Sequence, residues 1–165
     1  MKLKENFKLT KLGNFWVNEF LADEDTVAPS MQHISNLTRL AECAENFRGF
    51  VKRNMYITSG YRSVPFNKLK KGDVGSNHTK AEALDTELGY WQGKKWIEDY
   101  GDWKVESLCA VAEASGFSNI GFYVDKNGKF QWLHLDISRQ WNDGEFGADG
   151  LFRRIKYFPH TIGIS

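Results

Sequence analysis

Between residues 30 and 51, Ile34, Leu37, Ala41, Ala44, Phe47 and Val51 recur at spacings of three and four. That period lines them up on one stripe of a helix, and Ser30 stands where an N-cap hydroxyl belongs. Gly49 marks a fraying last turn, and His33 in the first turn is expected on the surface. A second helix is predicted over Lys104 to Ser115, with Val105, Leu108, Cys109 and Ala112 inward and Gly116 as its stop. "PFNKLKKG" has the pattern of a short helix stopped by Gly72.

Strand patterns fall between and after these helices. "MYITSG" (55–60) is rich in β-formers and closed by glycine, so it is predicted as a strand feeding a turn. "NIGFYVDKNGKFQWLHLDIS" holds two β-rich runs around "DKNG", a hairpin signal. "AEALDTEL" fits a strand or a helix, because alternation does not separate the two there. "NFKLTKLGNFW" is read as a short strand or turn followed by a loop. "GYWQGKKWIEDYGDW" has no clear period and is read as an insertion forming a rim or lid. Helices and strands come in blocks without a βαβ rhythm. The predicted class is therefore α+β, an antiparallel sheet flanked by helices.

Composition narrows the picture. The chain has 165 residues, 41% hydrophobic and 15% aromatic, which suits one domain over 1–165 with a packed core. No repeat or low-complexity linker divides it. Lys+Arg 22 against Asp+Glu 21 leaves a net charge of +1, so nucleic acid is not expected as a partner. "KLKK" reads as solvated surface. Cys43 and Cys109 fit no metal or redox spacing and are expected as buried free thiols. No apolar run has signal-peptide or membrane-span length. The chain is expected to be made and folded in a cytoplasm, as a monomer without membrane insertion. A substrate outside the membrane would then require release.

Candidate chemistry centres on His78, Asp85 and His134. A catalytic zinc takes three protein ligands, imidazole or carboxylate, and keeps a fourth position for water. A His–Asp pair at the 78/85 spacing arises by chance in acid-rich chains, and alone would be a surface histidine in a polar loop. His134 carries more weight. In "FQWLHLDIS" the strand alternation puts Trp132, His134 and Asp136 on one face, with Leu133 and Leu135 on the other. Asp136 fits a group that orients a ligand, and it also leaves open a half-buried His134–Asp136 hydrogen bond with no metal. Arg62, at the end of a strand, could polarise a carbonyl or hold a turn by a salt bridge. Of the tryptophans at 91, 96, 103, 132 and 141, most are expected in packing. His160 is expected at the surface.

The ordered set "ITSGYRS", "SNHTKAEALD" and "FQWLHLDIS" resembles the zinc D-alanyl-D-alanine carboxypeptidase family, which includes VanY/VanX-like peptidases and phage endolysins. Its fold is shared with hedgehog signalling domains. "ENFKLTKL" is similar to the "FTLSEL"-type opening of the phage and bacterial branch, so the likeness covers most of the chain. The resemblance implies Zn2+ held by His78, Asp85 and His134, with Arg62 binding substrate and stabilising the transition state. It puts Tyr61, Ser76 and Trp132 in contact with substrate. It also implies cleavage of peptide bonds in peptidoglycan stem peptides or cross-bridges, of D,D or L,D type, by an endolysin acting on the cell wall after release.

Two positions depart from the family pattern. Ala81 replaces a glycine, a change expected to be tolerated unless the backbone there is left-handed. Gln131 occupies the position, three before the last histidine, where many members carry an acidic general base, and an amide does not accept a proton at neutral pH. Three readings follow. Asp136 acts in its place, or a carboxylate from Glu82, Asp125, Asp143 or Glu145 swings in, or the zinc remains and hydrolysis is lost. The last would make the chain a non-catalytic, zinc-stabilised cell-wall-binding or phage structural module.

Overall fold

The computed structural model describes residues 3, 5–22, 24–124 and 130–138, together with the strand pairings of 145–146, 152–153 and 160–161. The first long element is α1 (Met31–Val51), capped as its sequence predicts. Ser30 Oγ accepts the His33 N–H at 3.3 Å, and His33 Nδ1 returns an acceptor to the Ser30 N–H at 3.1 Å. Leu37, Leu40, Ala41, Ala44, Phe47 and Val51 are buried along one stripe. Gly49 does not end the helix; Lys52 does, in a left-handed conformation with φ 53°.

β1 (Asn54–Ser59) follows and leads through Gly60 to α2 (Val64–Leu69), whose N-cap is Ser63. A 3-10 turn, Asn77–Lys80, then delivers the chain into β2 (Ala83–Gln92). "AEALDTEL" is thus strand from Ala83 onward. The segment read as a rim or lid is instead the far half of β2 turned back into β3 (Lys95–Glu98), with Trp91 paired to Trp96. Its aromatics alternate between faces, which hides any helical period. α3 (Val105–Ala114) buries Leu108, Cys109 and Ala112, and Gly116 follows with φ 100°. Cys43 is only half-buried, and both cysteines are free.

β4 (Asn119–Val124) and β5 (Phe130–Asp136) pair antiparallel, as the hairpin signal predicts, while "DKNG" itself lies outside the described residues. Three two-residue strands follow: β6 (Glu145–Phe146), β7 (Phe152–Arg153) and β8 (His160–Thr161). The main sheet runs β1-β2-β5-β4-β8, with β3 also on β2. All its pairings are antiparallel except β4 with β8. Thr86 pairs with Ile57 and Leu133, and Gly89 with Asn54 and Glu98, so β3 and β5 lie end to end along the edge of β2 opposite β1.

One sheet face carries Leu84, Leu88, Leu133 and Leu135, which pack into one core with Leu37, Leu40, Phe47 and Leu108, all fully buried. A buried leucine of this kind contributes roughly 1.5–3 kcal/mol relative to leaving it in water. The protein is α+β, and the opposite face of its sheet is left to carry chemistry. Among the described residues no helix is long and apolar enough to cross a membrane.

Candidate metal centre

Each of the three predicted ligands is fixed by a different local device. β2 and β5 pair in a register that makes Asp85 and His134 direct cross-strand partners. Gly121 lies opposite His134 on β4, and a Cβ there would stand 3.2 Å from that of the histidine. His78 comes from the 3-10 turn, whose end Ala81 stands in a left-handed conformation with φ 59°. The Gly-to-Ala departure is therefore not benign: a side chain in that region costs about 1–2 kcal/mol. Ala81 offsets part of this by burying its methyl fully in the core.

The donor atoms of His78, Asp85 and His134 all lie within 4.8 Å of one another. His78 Nε2 is 3.3 Å and His134 Nδ1 2.8 Å from the same Asp85 Oδ1. Ligands on a tetrahedral zinc with bonds of roughly 2.0–2.1 Å sit about 3.3 Å apart. The opposite ring nitrogens are both occupied. His78 Nδ1 donates to the Gly60 carbonyl at 2.7 Å, and His134 Nε2 faces Asp136 Oδ2 at 3.5 Å. With the Gly60 carbonyl and Asp136 on the far nitrogens, Nε2 of His78 and Nδ1 of His134 are the nitrogens turned toward Asp85, and each would present its lone pair to a metal once the proton shared with Asp85 is displaced. The donor set, the spacing and the tautomers all fit zinc.

The electrostatics favour a cation at this point. Burial pushes the Asp85 carboxyl up, but the hydrogen bonds and charges of His134 and His78 outweigh it and hold the group well below the ordinary carboxylate range. Burial lowers His134, yet Asp136 and Asp85 override it and push the imidazole up to about 9. Arg62 closes the other side of Asp85: Nη2 donates to Oδ2 at 2.9 Å and Nε to Ser59 Oγ at 2.8 Å. Its backbone N–H also bonds the His78 carbonyl at 3.1 Å, tying the arginine turn to the histidine turn.

These residues line a cleft of about 620 Å³. Of the residues predicted to touch substrate, Ser76 and Trp132 line it. Trp132 stacks on Tyr123 with ring centroids 4.6 Å apart and planes 18° off parallel. Tyr61 does not line the cleft: it is 4% exposed, with its ring 4.7 Å from that of His33. His33 accordingly is half-buried rather than at the surface.

Asp136 is 4% exposed and already engaged. It accepts from Asn119 Nδ2 at 2.7 Å, from Ser138 Oγ at 2.8 Å and N at 3.0 Å, and from Asn77 Nδ2 at 3.3 Å. Asn77 and Ser138 lie within the motifs quoted above without an assigned role, while Asn119 is brought to the site by its pairing with Asp136. Gln131 and Glu82 are half-buried and do not line the cleft. Asp125 and Asp143, and the side chain of Glu145, lie outside the described residues, as do Trp141 and the side chain of His160. Among the described residues, Asp73 is the one solvent-exposed carboxylate lining the cleft. It sits on a loop held by Asn67, whose side-chain amide donates to the Asp73 carbonyl at 3.0 Å.

The family model described as Peptidase M15 matches residues 13–136, a span that contains all three candidate ligands and Arg62. No curated protein matches the chain.

Proposed function

The chain belongs to the peptidase M15 family of zinc-dependent, D-alanyl-D-alanine carboxypeptidase-like hydrolases, and from that premise we propose that it cuts a peptide bond in the stem peptides or cross-bridges of bacterial peptidoglycan, as a phage or prophage endolysin. The observation that carries this reading is the convergence of His78 Nε2, Asp85 Oδ1 and His134 Nδ1, each from a separate segment, on one point at the floor of an open cleft.

His78, Asp85 and His134 would hold the zinc. When bound, the ion supplies Lewis acidity for the scissile carbonyl and lowers the pKa of its water. Arg62, fixed by Ser59 and Asp85 at the cleft wall, presents its guanidinium to the oxygen on which negative charge develops. Gly60 and Asp136 hold the two imidazoles in their tautomers. Ser76 and Trp132, which line the cleft, would border a bound peptide. Among the described residues, proton acceptance falls to Asp73, since the Asp136 oxygens already take five contacts from four residues and Gln131 is an amide.

Digestion of purified peptidoglycan followed by mass spectrometry of the new termini tests the proposal and identifies the bond. Zinc-loaded protein is expected to release stem-peptide fragments. His78→Ala should release none, and Asp73→Asn should lose turnover while keeping a full zinc content. Absence of fragments with zinc-loaded wild type, alongside retained binding to insoluble wall, would favour the non-catalytic module.

A further inference from the structure

The metal-bearing face of the sheet does not end at the cleft. Along β2, Asp85, Glu87, Gly89 and Trp91 share one face, while Leu84, Thr86 and Leu88 are buried on the other. The registers Tyr56↔Glu87 and Trp91↔Trp96 bring two further aromatics onto the metal side. Six residues separate Asp85 from Trp91, about 20 Å at the usual strand rise. Three rings meet there: Tyr56 to Trp91 at 5.9 Å, Tyr56 to Trp96 at 5.5 Å and Trp91 to Trp96 at 5.3 Å. Gly89 lets β3 close against β2 there, because a Cβ at that position would run into the Ile97 carbonyl and also stand 2.9 Å from the Trp96 indole.

We propose that Tyr56, Trp91 and Trp96 form a sugar-binding platform for the glycan backbone of the polymer whose peptide enters the cleft. This inference rests on peptidoglycan being the substrate. Tyr56 and Trp91 are 44% and 51% exposed, although the core lies on the other face and does not require them. Planes at 88° and 64° turn the rings edge to face, so they build a corner and leave outward ring faces uncovered. Electron-rich ring faces attract the C–H groups on the flat side of a pyranose. Glu87, paired with Tyr56 on the same face, supplies a polar group beside them for hydroxyls and amides.

Size selects this occupant over another protein chain. Two half-exposed aromatic side chains offer roughly 200 Å², far below the ~800 Å² per partner of a stable protein interface. One or two sugar rings match it. Trp132 and Tyr123 carry aromatic surface onward at the cleft itself, on the same face. A glycan laid along β2 would therefore hang its peptide toward Asp85.

The test titrates the full-length protein with a tetramer of β-1,4-linked N-acetylglucosamine, read by tryptophan fluorescence and by indole N–H shifts in NMR. The expected result is saturable binding that shifts Trp91 and Trp96 but not Trp103, whose Nε1 donates to the Val51 carbonyl in the interior. Trp91→Ala should weaken binding about five- to tenfold, and Trp91→Phe, which keeps a ring face, should restore most of it. Absent binding, or equal affinity in Trp91→Ala, would overturn the platform. Digestion of peptidoglycan by wild type runs beside it. Cleavage without tetramer binding removes the platform alone; tetramer binding without cleavage removes the peptidase reading alone.

Discussion

At the scale of single residues, Asp136 is held in place by more bonds than any other side chain of the centre. Burial pushes its carboxyl up, but bonds from His134, Asn119 and Ser138 outweigh that and keep it below its ordinary value. Such a group orients an imidazole. Asp136→Asn is therefore expected to reduce zinc affinity about 10–100-fold, measured by competition with a chelator. Unchanged affinity with lost turnover would instead make it the proton acceptor. Asp25 offers a second residue-level test, away from the metal. It is 4% exposed and accepts from Ser63 N at 2.6 Å and Ser63 Oγ at 2.8 Å. Burial raises its pKa, and the bonds from Ser63 and Val27 more than reverse this, leaving it lowered from 3.8. A depressed folded pKa means that the stabilisation is complete above about pH 4 and is lost as pH falls through the folded value. Asp25→Asn should cost about 1–3 kcal/mol at pH 7, and its melting curve should converge on wild type below pH 4. A pH-independent gap would contradict this.

At the scale of elements, the turns set the centre as firmly as the strands. Gly60 follows β1, its carbonyl accepts from His78, and a Cβ there would stand 2.6 Å from the Phe20 carbonyl oxygen. Gly60→Ala should destabilise by about 1–3 kcal/mol in denaturant unfolding and weaken zinc in the same variant. Gly49→Ala is the matched contrast: nothing lies within 4 Å inside α1, so it should stabilise by about 0.5–1 kcal/mol. These turns also mark where sequence reading stops. The stripe from Leu37 to Val51 and the alternation around His134 are legible because burial enforces a period. The β2–β3 hairpin was not, since Trp91 and Trp96 break the rule that exposed strand faces are polar. Nor was the left-handed state of Ala81, which only the neighbouring turn imposes. The part played by Asn119 follows only from its pairing with Asp136 across β4 and β5.

At the scale of the whole molecule, His78 and Asp85 come from one continuous stretch and His134 from a strand 49 residues beyond Asp85, and the order of the strands in the chain differs from their order in the sheet. β5, which brings His134, is made after β4 yet lies between β4 and β2. A nascent chain emerging from the ribosome must therefore keep the flank of β2 open until residue 136 has been synthesised. Until then His78 and Asp85 are an incomplete pair, with two of three donors. The three donors are complete only when β5 has taken its place between β4 and β2, so a retained ion would report that this strand has been threaded home.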